Sequence, residues 1–185
     1  MSFTIRPATP DDLPAITEIY RESVLNGIAT YEIDPPPLEE MTARYDTIRG
    51  NGYPYIVAED ARRLIGYAYA SAFRMRSAYK FLVEDSIYLL PEARGKGAGK
   101  ALLRELIGRT TALGFRQMIA VIGGAHPASI AVHASLGFEH NGLMKASGFK
   151  HGRWLDTAFM QLPLGEGAHT LPEPGVYPDT LYSGN

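Results

Sequence analysis

A seven-residue run, Arg94-Gly95-Lys96-Gly97-Ala98-Gly99-Lys100, constrains this chain more than any other stretch. It follows a strand-like segment, Phe81 to Leu90, that ends at Pro91. It opens a segment in which Leu102, Leu103, Leu106, Ile107 and Leu113 recur at helical spacing. A strand, a glycine turn and a helix in that order require a sheet with helices packed against it. The first N–H groups of such a helix have no partner within it and lie at the positive end of the helix dipole. Glycines let a ligand approach the main chain closely, and Arg94, Lys96 and Lys100 add positive charge, so a pyrophosphate is the natural guest. Two common phosphate turns do not fit. A P-loop needs G-x-x-x-x-G-K-[ST], but Arg94 stands where the first glycine belongs and Ala101 follows Lys100. The dinucleotide fingerprint needs G-x-G-x-x-G after a first strand, whereas Gly95, Gly97 and Gly99 give G-x-G-x-G late in the chain.

The remaining chain supplies a sheet and helices around that turn. Phe3 to Arg6 alternates as a short strand, and Thr9-Pro10-Asp11-Asp12 reads as a helix start. Leu13, Ile16, Tyr20 and Val24 follow at helical spacing, and Asn26-Gly27 closes that helix. A loop to Pro37 and a helix from Leu38 to about Arg49 come next. Tyr55 to Glu59 and Leu64 to Phe73 read as strands, and Met118 to Ile122 as a buried one. Pro127 starts a helix ending near Leu136. Phe138 to Leu143 and Trp154 to Leu162 read as two final strands joined by a loop around Gly148 to Gly152. The order βααβββαβαββ predicts an α/β (α+β) domain on one mixed sheet, covering residues 1–164. Residues 165–185 are rich in Gly and Pro without periodicity and are expected to form an extended or disordered tail.

Composition narrows the function classes. A net charge of -2 offers no basic surplus for nucleic acid. The absence of cysteine excludes disulfides, thiolate metal sites and a cysteine nucleophile. Histidines at 126, 133, 140, 151 and 169 form no H-E-x-x-H pair, and no serine stands in G-x-S-x-G, so neither a metal site nor a hydrolase elbow is expected. No apolar run approaches the ~20 residues that span a bilayer, and Met1 to Pro10 does not read as a secretory signal, which points to a cytoplasmic protein without a membrane partner.

Arg94, Gly97 and Gly99 also satisfy [QR]-x-x-G-x-[GA] between a strand and a helix. With Arg6-Pro7-Ala8-Thr9, Val83-Glu84-Asp85-Ser86-Ile87-Tyr88, Val121-Ile122-Gly123, His133 to Phe138, and Gly148-Phe149-Lys150-His151-Gly152-Arg153-Trp154, the chain from Phe3 to about Leu164 resembles the phosphinothricin and methionine sulfoximine acetyltransferase branch of the GNAT family. Asp156 and Gln161 extend that last stretch, which is more specific to the branch than the glycine turn. The resemblance implies a mostly antiparallel mixed sheet with a splayed central parallel pair flanked by helices, and acetyl-CoA as co-substrate. The pantetheine arm would pair with the main chain of Ile87, Tyr88 and Leu89, and the pyrophosphate would rest on Arg94, Gly95, Lys96, Gly97, Ala98, Gly99 and Lys100. His126 stands where relatives often have a pantetheine-contacting asparagine, and Ser129 is a further expected coenzyme contact. A homodimer is also implied.

Such a reaction has an amine attack a thioester, so the amine must first lose a proton. Glu84, on the strand leading into the glycine turn and at the matching position of the family's base, is the candidate acceptor of that proton. A backbone N–H near Tyr88 would hold the negative charge that builds on the thioester oxygen. His133 takes the place of a family tyrosine that protonates the departing thiolate, and would either donate that proton or simply bond the sulfur. Arg74, Met75, Arg76 and Tyr79 match substrate-side positions, where two guanidinium groups suit a carboxylate, phosphinate or sulfone. Asp85 and Ser86 would hold the amine, and Tyr31, with Glu32, lies on a loop resembling a substrate lid. Together these imply a small amino-acid-like amine as partner. A different acceptor, such as a protein N-terminus, polyamine or ordinary amino acid, fits the same chemistry. A non-catalytic CoA-binding module fits the glycine turn alone.

Overall fold

The computed structural model describes residues 3–182; positions 1–2 of the expected domain and 183–185 of the expected tail lie outside the described residues. The elements run β1 (Thr4–Pro7), α1 (Leu13–Asn26), α2 (Leu38–Gly50), β2 (Tyr55–Asp60), β3 (Arg63–Ala72), β4 (Leu82–Leu89), α3 (Ala98–Ala112), β5 (Gln117–Gly123), α4 (Pro127–Ala134), β6 (Glu139–Lys150) and β7 (Arg153–Pro163), in the order expected. Local chemistry sets several boundaries. Arg6 on β1 donates two hydrogen bonds to the Asp12 carboxylate, at 2.7 and 2.8 Å, and Thr9 N–H donates a third at 2.8 Å. This fixes the chain's turn into α1. Gly27 ends α1, and a Cβ there would lie 2.7 Å from Ser23 O.

The seven strands form one sheet, β1-β2-β3-β4-β5-β7-β6. All neighbours are antiparallel except β4 and β5, which are parallel. Strand residues alternate between faces, and each face carries its own core. On one face Val83, Ile87 and Leu89 join Leu102, Leu103 and Leu106 of α3. On the other, Tyr55, Tyr67, Tyr69 and Tyr88 stack with α1 and α2 through Ile16, Tyr20, Val24 and Tyr45.

The parallel pair is joined only at Leu82↔Gln117, Val83↔Met118 and Glu84↔Ile119. Beyond Glu84 the two strands diverge. β4 then pairs with β3 alone, and β5 with β7 alone, so each presents an unpaired backbone edge to the gap.

Two expectations are corrected. The final strands are longer than the sequence indicated, because β6 runs to Lys150 with register shifts at His140/Gly142 and Met144/Gly148. The connection is a two-residue turn, His151-Gly152, with φ of 52° and 72°. Gly148, which read as loop, is a strand residue. The segment from Gly165 to Tyr182 has no helix or strand, as its composition implied, but it is bound down along its length. Tyr177 donates from its hydroxyl to Asn51 O at 3.0 Å, Lys80 pairs with Asp179 at 2.7 Å, and Leu181 is buried. Apolar Tyr177, Leu181 and Tyr182 lie among its prolines and glycines and pack on the core; they supply docking without periodicity.

Candidate active site

Glu84 sits at the apex of the split, in the last residue pair that joins β4 to β5. It is half-buried on the tyrosine-lined face. Burial, reinforced by the charge of Asp85 and opposed by Arg74, raises its carboxyl from 4.5 to about 7. A carboxylate held there exchanges protons readily near neutrality, which is the property a general base needs. Ser86 and Tyr88 share its face. Ile87, Tyr88 and Leu89 lie on the part of β4 whose edge toward β5 is unpaired.

The glycine turn joins this edge to α3. Gly95 and Gly97 adopt left-handed φ of 72° and 87°, and a Cβ on either would meet nothing within 4 Å, so glycine is needed there for conformation and not for space. The first helical bond runs from Ala101 N–H to Gly97 O, leaving the N–H groups of Ala98, Gly99 and Lys100 without helical partners. Ala98 is buried, so only its backbone is available. Lys96 is exposed and Lys100 half-buried. Arg94 turns toward α1, donating to Glu22 at 2.6 Å and to Leu89 O at 3.1 Å. The free positive charge of the turn is therefore carried by Lys96 and Lys100. Together these features fit a pantetheine diphosphate: two open strand edges, three free N–H donors and two ammonium groups.

On the acceptor side, Arg74 and Arg76 lie on the exposed β3–β4 connection, with Met75 turned to solvent and Tyr79 packed edge-on to Phe73 at 5.8 Å. Arg74 is close enough for its charge to act on Glu84. Tyr31 stands on the loop between α1 and α2, but its hydroxyl already bonds Asp156 O at 3.0 Å and Thr157 Oγ1 at 2.8 Å, and receives Gly124 N–H at 3.2 Å. It anchors the loop instead of facing a ligand.

Asp85 and His133 depart most from expectation. Asp85 follows Glu84, so strand alternation sends it to the opposite face. There its Oδ2 lies 3.0 Å from His133 Nε2 on α4, and both side chains are buried. His133 Nδ1 donates to Ser129 O at 2.7 Å, since a carbonyl only accepts. Nε2 and Oδ2 thus share the remaining proton. Burial opposes the charged imidazole, but the Asp85 bond and charge and the Ser129 carbonyl prevail, and the His133 pKa is raised. With both nitrogens engaged, His133 is not placed to protonate a thiolate, and Asp85 is not placed to hold an amine. Ser129 enters through its carbonyl; its hydroxyl is 3.5 Å from the ring. His126 is exposed at the start of α4, beside the β5 end of the split. Among the described residues no group of three or more His, Asp or Glu could hold a metal ion, and no helix is long and apolar enough to cross a membrane.

The sequence reading missed two contributors. Tyr69 lies on the face of the sheet that carries Glu84, and burial, with the charges of Glu84 and Glu32, raises its pKa. The alternation of Tyr67 and Tyr69 was the available signal. Lys150, quoted only within a longer motif, is 3% exposed and donates to Thr30 O at 2.9 Å.

Comparison with known proteins bears on these features. Residues 13–138 match the model of the acetyltransferase (GNAT) family. The chain is 48% identical over 171 residues to a phosphinothricin N-acetyltransferase of Alcaligenes faecalis, covering 92% of this chain and 87% of that one. It is 43% identical over 165 residues to an L-methionine sulfoximine/L-methionine sulfone acetyltransferase of Pseudomonas aeruginosa, covering 89% and 96%. A crystal structure of a phosphinothricin acetyltransferase from Sinorhizobium meliloti in complex with AcCoA superposes with a TM-score of 0.97 at 74% identity, covering 98% of this chain and 99% of that one.

Proposed function

The chain belongs to the acetyltransferase (GNAT) family, and we propose that it transfers the acetyl group of acetyl-CoA to the amine of a small amino-acid-like acceptor of the phosphinothricin, methionine sulfoximine or methionine sulfone type. The observation that carries this reading is Glu84, a carboxyl tuned to about 7 at the point where β4 and β5 part. Acetyl-CoA supplies an activated thioester carbonyl. Glu84 takes the proton from the acceptor's ammonium, directly or through water, which frees the amine's lone pair for attack; a C–N bond forms, the C–S bond breaks, and the departing thiolate takes up the second proton, which the acylated nitrogen loses. The exposed edge of β4 aligns the pantetheine arm, and a backbone N–H near Tyr88 meets the charge that grows on the thioester oxygen. The N–H groups at the start of α3, with Lys96 and Lys100, hold the pyrophosphate.

Arg74 and Arg76 favour an acceptor with a carboxylate or phosphinate and disfavour polycationic amines. Exposed Phe149 and Trp154 pack against each other at 5.2 Å on the β6–β7 hairpin and share a face with exposed Leu143, an apolar surface that a second copy of the chain would cover, in keeping with a homodimer. A cytoplasmic location would give the enzyme access to acetyl-CoA.

The test is thiol release from acetyl-CoA with phosphinothricin, methionine sulfoximine and methionine sulfone, set against spermidine and a peptide N-terminus. Turnover with the first group at least tenfold more efficient than with the second supports the reading. Preference for the peptide or polyamine moves the acceptor class. Coenzyme binding without any turnover would favour a binding module.

A further inference from the structure

The stretch Gly148-Phe149-Lys150-His151-Gly152-Arg153-Trp154 stands out in the sequence, yet none of it enters the chemistry above. Its surroundings assign it another task. Lys150 reaches from the end of β6 to donate to Thr30 O at 2.9 Å. His151 Nε2 lies 3.3 Å from Gly27 O. Thr157, on β7, bonds the Tyr31 hydroxyl. A Cβ on Gly148 would stand 2.6 to 2.9 Å from the Tyr31 ring, so this glycine is the space into which that ring fits. All four contacts fall on residues 27–31. From the other side, Tyr20 on α1 bonds Thr30 Oγ1 at 3.0 Å, and Gly123 and Gly124 at the end of β5 admit Ile28 and Ala29 at distances no side chain would allow.

Residues 27–31 of the loop between α1 and α2 are therefore wedged between α1, the mouth of the β4–β5 split and the β6–β7 hairpin. Glu32, the next residue of that loop, pairs with Arg44 of α2 at 2.7 Å, and its charge and that of Glu84 both act on Tyr69. We propose that Gly148 and Lys150 are positioning residues that hold this loop as a preformed wall of the acceptor pocket, and thereby set acceptor affinity without touching the acceptor. The proposal rests on the acceptor reading given above. Lys150 suits the role because an ammonium that is almost fully buried and aimed at a single carbonyl ties two distant segments at a defined separation. Gly148 suits it because any larger residue drives the Tyr31 ring out of its seat.

Two variants test the proposal: Lys150→Met, which keeps length and removes the donor, and Gly148→Ala. Lys150→Arg, which can still donate to Thr30 O, is the conservative control. Hydrogen exchange of residues 27–33 and steady-state kinetics are measured on the full chain. The expected result is exchange at least about tenfold faster in that loop and an acceptor KM at least about tenfold higher. Acetyl-CoA binding should stay within about twofold, and Lys150→Arg should recover most of both losses. A general folding defect would instead shift coenzyme binding and exchange throughout the sheet. Unchanged loop exchange in both variants overturns the proposal. So does faster exchange with an unaltered acceptor KM. If the wild type acetylates none of the acceptors, the acceptor reading fails while loop exchange still decides whether Gly148 and Lys150 hold the loop. Should Gly148→Ala not fold, the comparison of Lys150→Met with Lys150→Arg decides alone.

Discussion

Replacing Glu84 with glutamine should separate activity from stability in opposite directions. The amide keeps the size and burial of the side chain but cannot accept a proton from an ammonium. Loss of a general base lowers the rate by about 10²–10⁴, or about 3–5 kcal/mol in the barrier. The stability effect follows from the same environment. Glu84 is raised from 4.5 to about 7, so between these pH values the folded protein binds more protons than the unfolded chain, and stability falls as pH rises through that window. At pH 8 the ionised carboxylate costs about 3 kcal/mol relative to pH 4. Glu84→Gln removes that loss, so the variant should melt several degrees above wild type at pH 8 and match it near pH 4. Thiol release at pH 8 with saturating acetyl-CoA, and thermal melts at both pH values, give the two readouts. In the wild type, kcat/KM should climb through pH 7 and then level once the acceptor's own ionisation is divided out. If kcat/KM of Glu84→Gln stays within about threefold of wild type at pH 8, Glu84 is not the base. If its melting temperature is unchanged at pH 8, the buried-carboxylate argument fails.

Two further predictions concern the frame around the base. His133→Ala leaves the buried Asp85 carboxylate unpartnered and should lower stability by about 3–5 kcal/mol in thermal or denaturant melts. Because the His133 pKa is raised above 6.5, the pair's contribution is complete below that pH and fades as pH rises through the folded value, so the gap between variant and wild type should narrow at alkaline pH. A loss of kcat beyond about 10²-fold without loss of stability would return His133 to the mechanism. Gly97→Ala forces a side chain into φ of 87° with no steric neighbour, a backbone penalty of about 1–2 kcal/mol. Its expected result is an acetyl-CoA KM raised about five- to tenfold; an unchanged KM would separate the turn's conformation from coenzyme binding.

Much of the architecture was legible because it rests on local signals. The glycine turn, the leucine stripe after it and the β-branched strand before it each carry a period or a conformational need that neighbouring residues express. The element order followed from those signals alone. Where reading failed, a distant partner was responsible. Gly148 looked like a loop residue, since an isolated glycine weakens a strand, yet it is glycine because the Tyr31 ring, from a remote part of the chain, lies on it. The tail looked free because its prolines and glycines hide the spacing of Tyr177, Leu181 and Tyr182.

The site divides along the same line. Residue type and resemblance singled out Glu84, the arginines of the β3–β4 connection and the turn at 94–100. They also put Asp85 in the site, as the group that holds the amine, since the two faces of a strand are not visible in a string of letters. Pleating sends Glu84 toward the split and Asp85 beneath α4 against His133. The sequence by itself determined which elements form, because those follow from side-chain type and short-range spacing, and its resemblance to a family named the candidate residues. Only the tertiary structure decided which of them meet, because burial, pKa and hydrogen-bond partnership arise from segments far apart in the chain.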